Sequence, residues 1–150
     1  MAIDYEHSVI IGRSVDDVYT YISDVNNASE WMPWADEVSV IDGGEPSGVT
    51  EGQKRLLKQT DFGRQSETII EATAVDPGRS YRFETVDGPV DFDGSYRFDP
   101  VEDGTRLTRT YHVELPGLTR LMQPIMARRM KRRWEADLQR VKEVLENQSE

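Results

Sequence analysis

The stretch VDFDGSYRFDPVEDGTRLTRTYHV, residues 90–113, alternates without a break through its first half. Val90, Phe92, Gly94, Tyr96 and Phe98 fall on one side and Asp91, Asp93, Ser95, Arg97 and Asp99 on the other, the period of two that an extended backbone imposes on its side chains. One face is aromatic and the other charged. After the turn signal Glu102-Asp103-Gly104, the same period brings Leu107, Arg109, Tyr111 and Val113 together, so the two segments read as an antiparallel hairpin with one apolar face. Arg109 is the exception on that face. A guanidinium among apolar neighbours has to be paired, or has to meet water or a ligand, to offset its desolvation.

Working outward, the segment before this hairpin places Tyr81, Phe83 and Thr85 on one side. Turn signals at Asp42-Gly43-Gly44, Asp61-Phe62-Gly63, Asp76-Pro77-Gly78 and Asp87-Gly88-Pro89 mark off six strands from Val38 onward, each antiparallel to the next. A further strand opens the chain, where Ile3, Tyr5, His7, Val9 and Ile11 alternate with Asp4, Glu6 and Ser8. Ser14 then reads as a helix N-cap with Asp17 three residues on, and Val15, Val18, Tyr19 and Ile22 form the apolar stripe. A second short helix runs from Asn26 or Asn27 toward Trp31 and ends before Pro33.

A seven-stranded sheet with one apolar face needs a cover. The C-terminal segment supplies it, with Met130, Trp134, Leu138, Val141 and Leu145 spaced by three or four residues. Leu118, Leu121, Met122 and Ile125 also have helical spacing, but their arc lies about half a turn from the later stripe at roughly 100° per residue. The reading is a short helical piece, a break near Pro124, and then the main helix with that proline in its first turn. The upstream piece, residues 118–125, is expected to cap one end of the space under the sheet.

Bulk properties narrow the classes. The chain of 150 residues reads as a single domain, residues 1–150. It has no cysteine, which removes disulfides, thiolate catalysis and cysteine metal sites, and two histidines without ligand spacing leave no basis for assigning a metal or any other cofactor. A net charge of -10 repels phosphate backbones, so nucleic acid is not an expected partner. Arginine outnumbers lysine, 14 to 4, and with the acid excess this resembles the surface of a salt-adapted protein. No apolar run is long enough for stable membrane insertion, and the expectation is a soluble, cytoplasmic chain, a monomer or weak dimer.

The order of strand, two short helices, six strands and long helix resembles the α+β helix-grip fold of START domains, Bet v 1-like proteins and the polyketide cyclase/dehydrase group (the SRPBCC superfamily). The residues carrying the resemblance are Ser14-Val15-Asp16-Asp17-Val18-Tyr19-Thr20-Tyr21-Ile22-Ser23-Asp24 followed by Trp31, and the block from Gly94-Ser95-Tyr96-Arg97-Phe98-Asp99-Pro100 through Asp103-Gly104-Thr105-Arg106-Leu107-Thr108. Glu30-Trp31-Met32-Pro33-Trp34 is also similar to the corresponding stretch of the coenzyme Q-binding subgroup. The resemblance implies a cavity between sheet and long helix. Its members include carriers, receptors and cyclases, so it does not fix function.

Within that implied cavity, Trp34, Phe83, Phe92, Tyr96, Phe98 and Tyr111 are the candidate wall, against the alternative of an ordinary packed core. Met126 and Met130, with Met122, are either an adaptable gate or core filler. Arg109 either anchors a ligand oxygen or sits in an internal salt bridge. Gly94 would leave space opposite the helix or mark a bend. His7 reads as a hydrogen-bonded core histidine because no nucleophile or carboxylate partner accompanies it, and His112 falls on the polar face. Arg128, Arg129, Arg132 and Arg133 gather opposite Met130 and Trp134, where pairing with the protein's own carboxylates competes with transient membrane docking.

The leading functional expectation is binding or transport of a hydrophobic small molecule: a lipid, an isoprenoid quinone or a polyketide-like aromatic. One alternative is a cyclase/dehydrase-type enzyme using Tyr96, Tyr111, Arg109 or His7, which requires at least two of them to converge on one pocket. The other is a protein-interaction module, which requires a large exposed apolar patch.

Overall fold

The computed structural model describes residues 2–61, 63–114 and 123–147. The seven strands are β1 (Ala2–Ile11), β2 (Ala35–Asp42), β3 (Lys54–Asp61), β4 (Arg64–Asp76), β5 (Ser80–Asp87), β6 (Asp91–Val101) and β7 (Gly104–Glu114). The helices are α1 (Val15–Ser23), α2 (Ala28–Trp31) and α3 (Gln123–Asn147), with a single 3-10 turn, Val25–Asn27, leading into α2. The strands form one antiparallel sheet in the order β1-β7-β6-β5-β4-β3-β2. This is the helix-grip arrangement read from the sequence. Of residues 118–125, expected to form a separate capping piece, 118–122 lie outside the described residues, as does Phe62 in its turn, while Pro124 and Ile125 belong to α3 itself, where Ile125 is exposed.

Local chemistry accounts for the element boundaries. Ser14 Oγ accepts the Asp17 N–H at 3.2 Å and closes the first turn of α1, whose acids Asp16 and Asp17 face the positive end of the helix dipole. Asp24 caps the 3-10 turn by accepting from the Asn26 N–H. Between β6 and β7, Asp103 takes a left-handed φ of 68°, and Gly104 passes so close to the Ile11 carbonyl that a β-carbon there would collide with its oxygen. That contact ties the β6–β7 hairpin to the end of β1.

Register shifts interrupt β2 between Ala35 and Glu37 and between Val40 and Asp42, and β4 between Ile69 and Ile70 and between Ala72 and Ala74. Such irregularities raise the local twist and bend the sheet around whatever lies on its concave face. Here that is α3, which buries Trp134, Leu138, Val141 and Leu145. One core cluster joins Leu138, Val141 and Leu145 to Val18 and Ile22 of α1 and to the aromatic face of β5 and β6. A second joins Trp134 to Ile3, Tyr5 and Val113. Pro124 lies in the first turn of α3, where its missing N–H costs no hydrogen bond.

On the outer face, His112 clips β1 to β7. Its Nδ1 lies 2.5 Å from Asp4 Oδ1 and its Nε2 2.8 Å from Glu114 Oε1. These hydrogen bonds, to Asp4 first and then Glu114, raise the imidazole pKa above its ordinary value. A pKa raised by folding contributes stability that is fully present below the unfolded-state value, about 6.5, and is lost as pH rises through the folded value. The melting temperature of wild type should therefore exceed that of His112→Gln most at about pH 5.5, with the gap closing toward about pH 9. Parallel melting curves across that range check it.

Candidate functional site

The concave face of the sheet does not pack solidly against the end of α1, the 3-10 turn and α2, and no described residue of α3 lines the space left there, which the sequence reading puts beneath that helix. A small, partly open cavity of about 80 Å³ lies among Ile22, Val25, Trp31, Met32, Val49, Ile70, Ala72, Tyr81 and Phe83. Six of the residues expected in the wall, Trp34, Phe83, Phe92, Tyr96, Arg109 and Tyr111, line it. Phe98, the innermost residue of the quoted alternation, is placed elsewhere. It is 2 % exposed and packs against Tyr19 and Tyr81 beneath α1, because the far end of β6 faces α1 and not the hollow. Met130 lines a second space described below, and Met126 packs against the cluster around Trp134.

Gly94 does not leave a void. Phe83 and Tyr111 close over it, and a β-carbon there would lie 2.8 Å from the Phe83 ring and 2.7 Å from the Thr110 carbonyl oxygen. The glycine is what lets the two rings pack edge-to-face, with centroids 5.8 Å apart.

Arg109 is the polar centre of the site. Its guanidinium, 1 % exposed, donates from Nη1 to Asp137 Oδ2 at 3.0 Å and from Nη2 to the Tyr111 hydroxyl. Its central carbon stands 4.7 Å from the Tyr111 ring centroid, 5.3 Å from that of Tyr96 and 5.4 Å from that of Trp31, an aromatic cage that suits a desolvated cation. Asp137, on α3 and fully buried, also accepts from Trp34 Nε1 at 3.0 Å and lies 3.6 Å from Arg140. Burial raises its carboxyl pKa, while Arg109 and the Trp34 N–H work in the opposite direction. Of the two readings of Arg109, the internal salt bridge is the one present, and the residue also borders the cavity.

Two donors at this centre find no acceptor among the described residues, Arg109 Nε and Trp31 Nε1, and both belong to buried residues of the cavity wall. Burial also holds the phenols of Tyr81, Tyr96 and Tyr111 above their ordinary pKa, so they stay neutral and can donate at physiological pH. Arg55 reaches the same cavity, donating from Nε to Gln53 Oε1 and from Nη2 to the Ser23 and Gly48 carbonyls. His7 is only half-buried, beside Tyr5, and is not part of the lining. No group of three metal-ligating side chains occurs among the described residues.

Sequence reading missed Asp137, Trp31 and Arg55 as members of this site. Asp137 had a visible signal, since an acid three residues after Trp134 and four before Val141 stands on the buried stripe of α3. Trp31 and Arg55 had none, because neither lies in a pattern that states which way it faces.

The second space, about 130 Å³, lies on the other side of Trp34, Leu57, Phe92 and Tyr111, which line both. Its remaining walls include Thr68, Val90, Val113, Met130 and Trp134. Arg133 stands 5.0 Å from the Trp34 ring centroid, so one of the four clustered arginines covers the partition instead of facing solvent, and Arg128, Arg129 and Arg132 are exposed.

Comparison with known proteins agrees with this architecture. A family described as polyketide cyclase / dehydrase and lipid transport matches residues 2–146. A protein from Thermus thermophilus superposes with a TM-score of 0.79 at 19% identity, over 99% of this chain and 100% of that one. An aromatase/cyclase from a Streptomyces species superposes with a TM-score of 0.76 at 20% identity, over 100% and 97% respectively. The di-domain aromatase/cyclase of the steffimycin biosynthetic pathway gives 0.77 at 18% identity, covering 95% of this chain and 50% of that one. At these identities the likeness is one of fold. Comparison with curated protein sequences gives no match. No helix among the described residues is long and apolar enough to cross a membrane.

Proposed function

The chain belongs to the polyketide cyclase / dehydrase and lipid transport family, and from that premise we propose that it binds a hydrophobic small molecule bearing a neutral acceptor oxygen, such as a ketone or quinone carbonyl. The observation that carries this reading is the Arg109–Asp137 pair, buried in an aromatic wall beside two donors without acceptors among the described residues. Because Asp137 already balances the guanidinium, a ligand carboxylate would add an uncompensated charge to a desolvated site. A carbonyl would satisfy Trp31 Nε1 or Arg109 Nε at no such cost.

Native mass spectrometry of protein purified from its own host, followed by solvent extraction, tests the reading. The expected result is an adduct that dissolves out as an apolar, uncharged compound containing oxygen. Protein that emerges empty and takes up no long-chain methyl ketone overturns it.

A cyclase or dehydrase role is the second reading, favoured by the convergence of Arg109, Tyr96 and Tyr111 on one cavity. There Arg109 would polarise a ketone and a neutral phenol would supply the proton. Loss of water from an oligoketide thioester, abolished in Tyr96→Phe, would favour it over binding alone.

A further inference from the structure

We infer that Trp34 is a movable partition and that the ligand is an elongated chain with its oxygen in the Arg109 chamber and its apolar tail in the chamber under Trp134. This extends the ligand-binding reading and rests on it. The two spaces share four wall residues, and three of them, Leu57, Phe92 and Tyr111, are fixed on strands. Trp34 is not. It sits half-buried in the short turn between α2 and β2, where a change of a few backbone or side-chain torsions moves the ring without disturbing the sheet.

What holds it is its hydrogen bonding to Asp137 and the stacking of Arg133. Asp137 keeps Arg109 and Arg140 when the indole leaves, so displacement strands no buried charge. The far chamber has the walls of a tail site, with Val90, Phe92, Val113, Met130 and Trp134 supplying apolar surface and Met130 able to adapt to a variable chain. A compact ligand fills only the chamber at Arg109 and leaves the second unused.

Binding of a series of methyl ketones, from propanone to undecanone, to wild type, Trp34→Ala and Val90→Trp tests this by calorimetry. In wild type each added methylene should tighten binding about fourfold until the first chamber is full, show little gain while the indole must be displaced, and then gain again. Trp34→Ala should remove the flat interval. Val90→Trp, which narrows the second chamber from a half-buried position at its wall, should weaken the longest ketones by about fifteenfold or more, the worth of two lost methylenes, and leave the shortest unchanged. If Trp34→Ala and wild type share one length profile, or Val90→Trp weakens all lengths alike, the partition is overturned while ligand binding stands. If wild type binds no ketone of any length, the ligand-binding reading falls and takes this one with it.

Discussion

Replacing Asp137 by alanine should destabilise the protein by about 3–5 kcal/mol, the cost of leaving a buried cation without its partner. Asp137 is fully buried, and among the described residues Arg109 keeps the Tyr111 hydroxyl, the Met32 sulfur and three aromatic faces once the carboxylate is gone. In a chain of this length that corresponds to roughly 6–20 °C in melting temperature. The control is the paired replacement Arg109→Met with Asp137→Leu, which removes both charges and should cost far less than Asp137→Ala alone. Denaturant titration of wild type, Asp137→Ala, the single variants Arg109→Met and Asp137→Leu, and the pair closes the cycle. A loss below about 1 kcal/mol for Asp137→Ala would mean that water reaches the pair and that the polar centre is not desolvated.

Trp134→Ala should cost a comparable amount, about 3–5 kcal/mol, through a different term. Trp134 is 6 % exposed, with its ring 4.4 Å from that of Tyr111 and 4.9 Å from that of Tyr5. Truncation leaves a void between α3 and the β1–β7 edge that rigid strands cannot close. Urea unfolding reads the loss. Because Tyr111 also holds Arg109 and walls both chambers, the variant should lose methyl ketone affinity as well, and the conservative Trp134→Phe should recover most of both. A variant that melts with wild type would show that α3 does not seal this edge.

Much of this architecture was legible in the residues, for a local reason. Alternation over residues 90–113 states which side chains share a face, glycine and aspartate mark where a strand must reverse, and a three-or-four spacing states which face of a helix is buried. These signals depend on neighbours in the chain and need no knowledge of distant contacts. They placed Tyr96, Phe83, Phe92 and Arg109 on the inner face and Trp134, Leu138, Val141 and Leu145 beneath α3, where the structure has them.

Alternation says which face, and not how far along a curved sheet a residue lies. Phe98 and Tyr96 share a face by period, yet Tyr96 borders the hollow while Phe98 packs under α1, and the difference is set by sheet curvature and by where α1 crosses. Gly94 shows the same limit, since the missing side chain is occupied by Phe83 and Tyr111 arriving from neighbouring strands.

The sequence by itself determined the order of elements, the strand faces, the helix stripe and the presence of one cation on an apolar surface. Only the tertiary structure decided that Arg109 meets Asp137, that Trp34 spans from a turn to the same carboxylate, and that a hollow remains around them. The physical reason is that pairing a buried charge is a long-range event. Arg109 and Asp137 are 28 residues apart on different elements, and no period within either one encodes the distance between them.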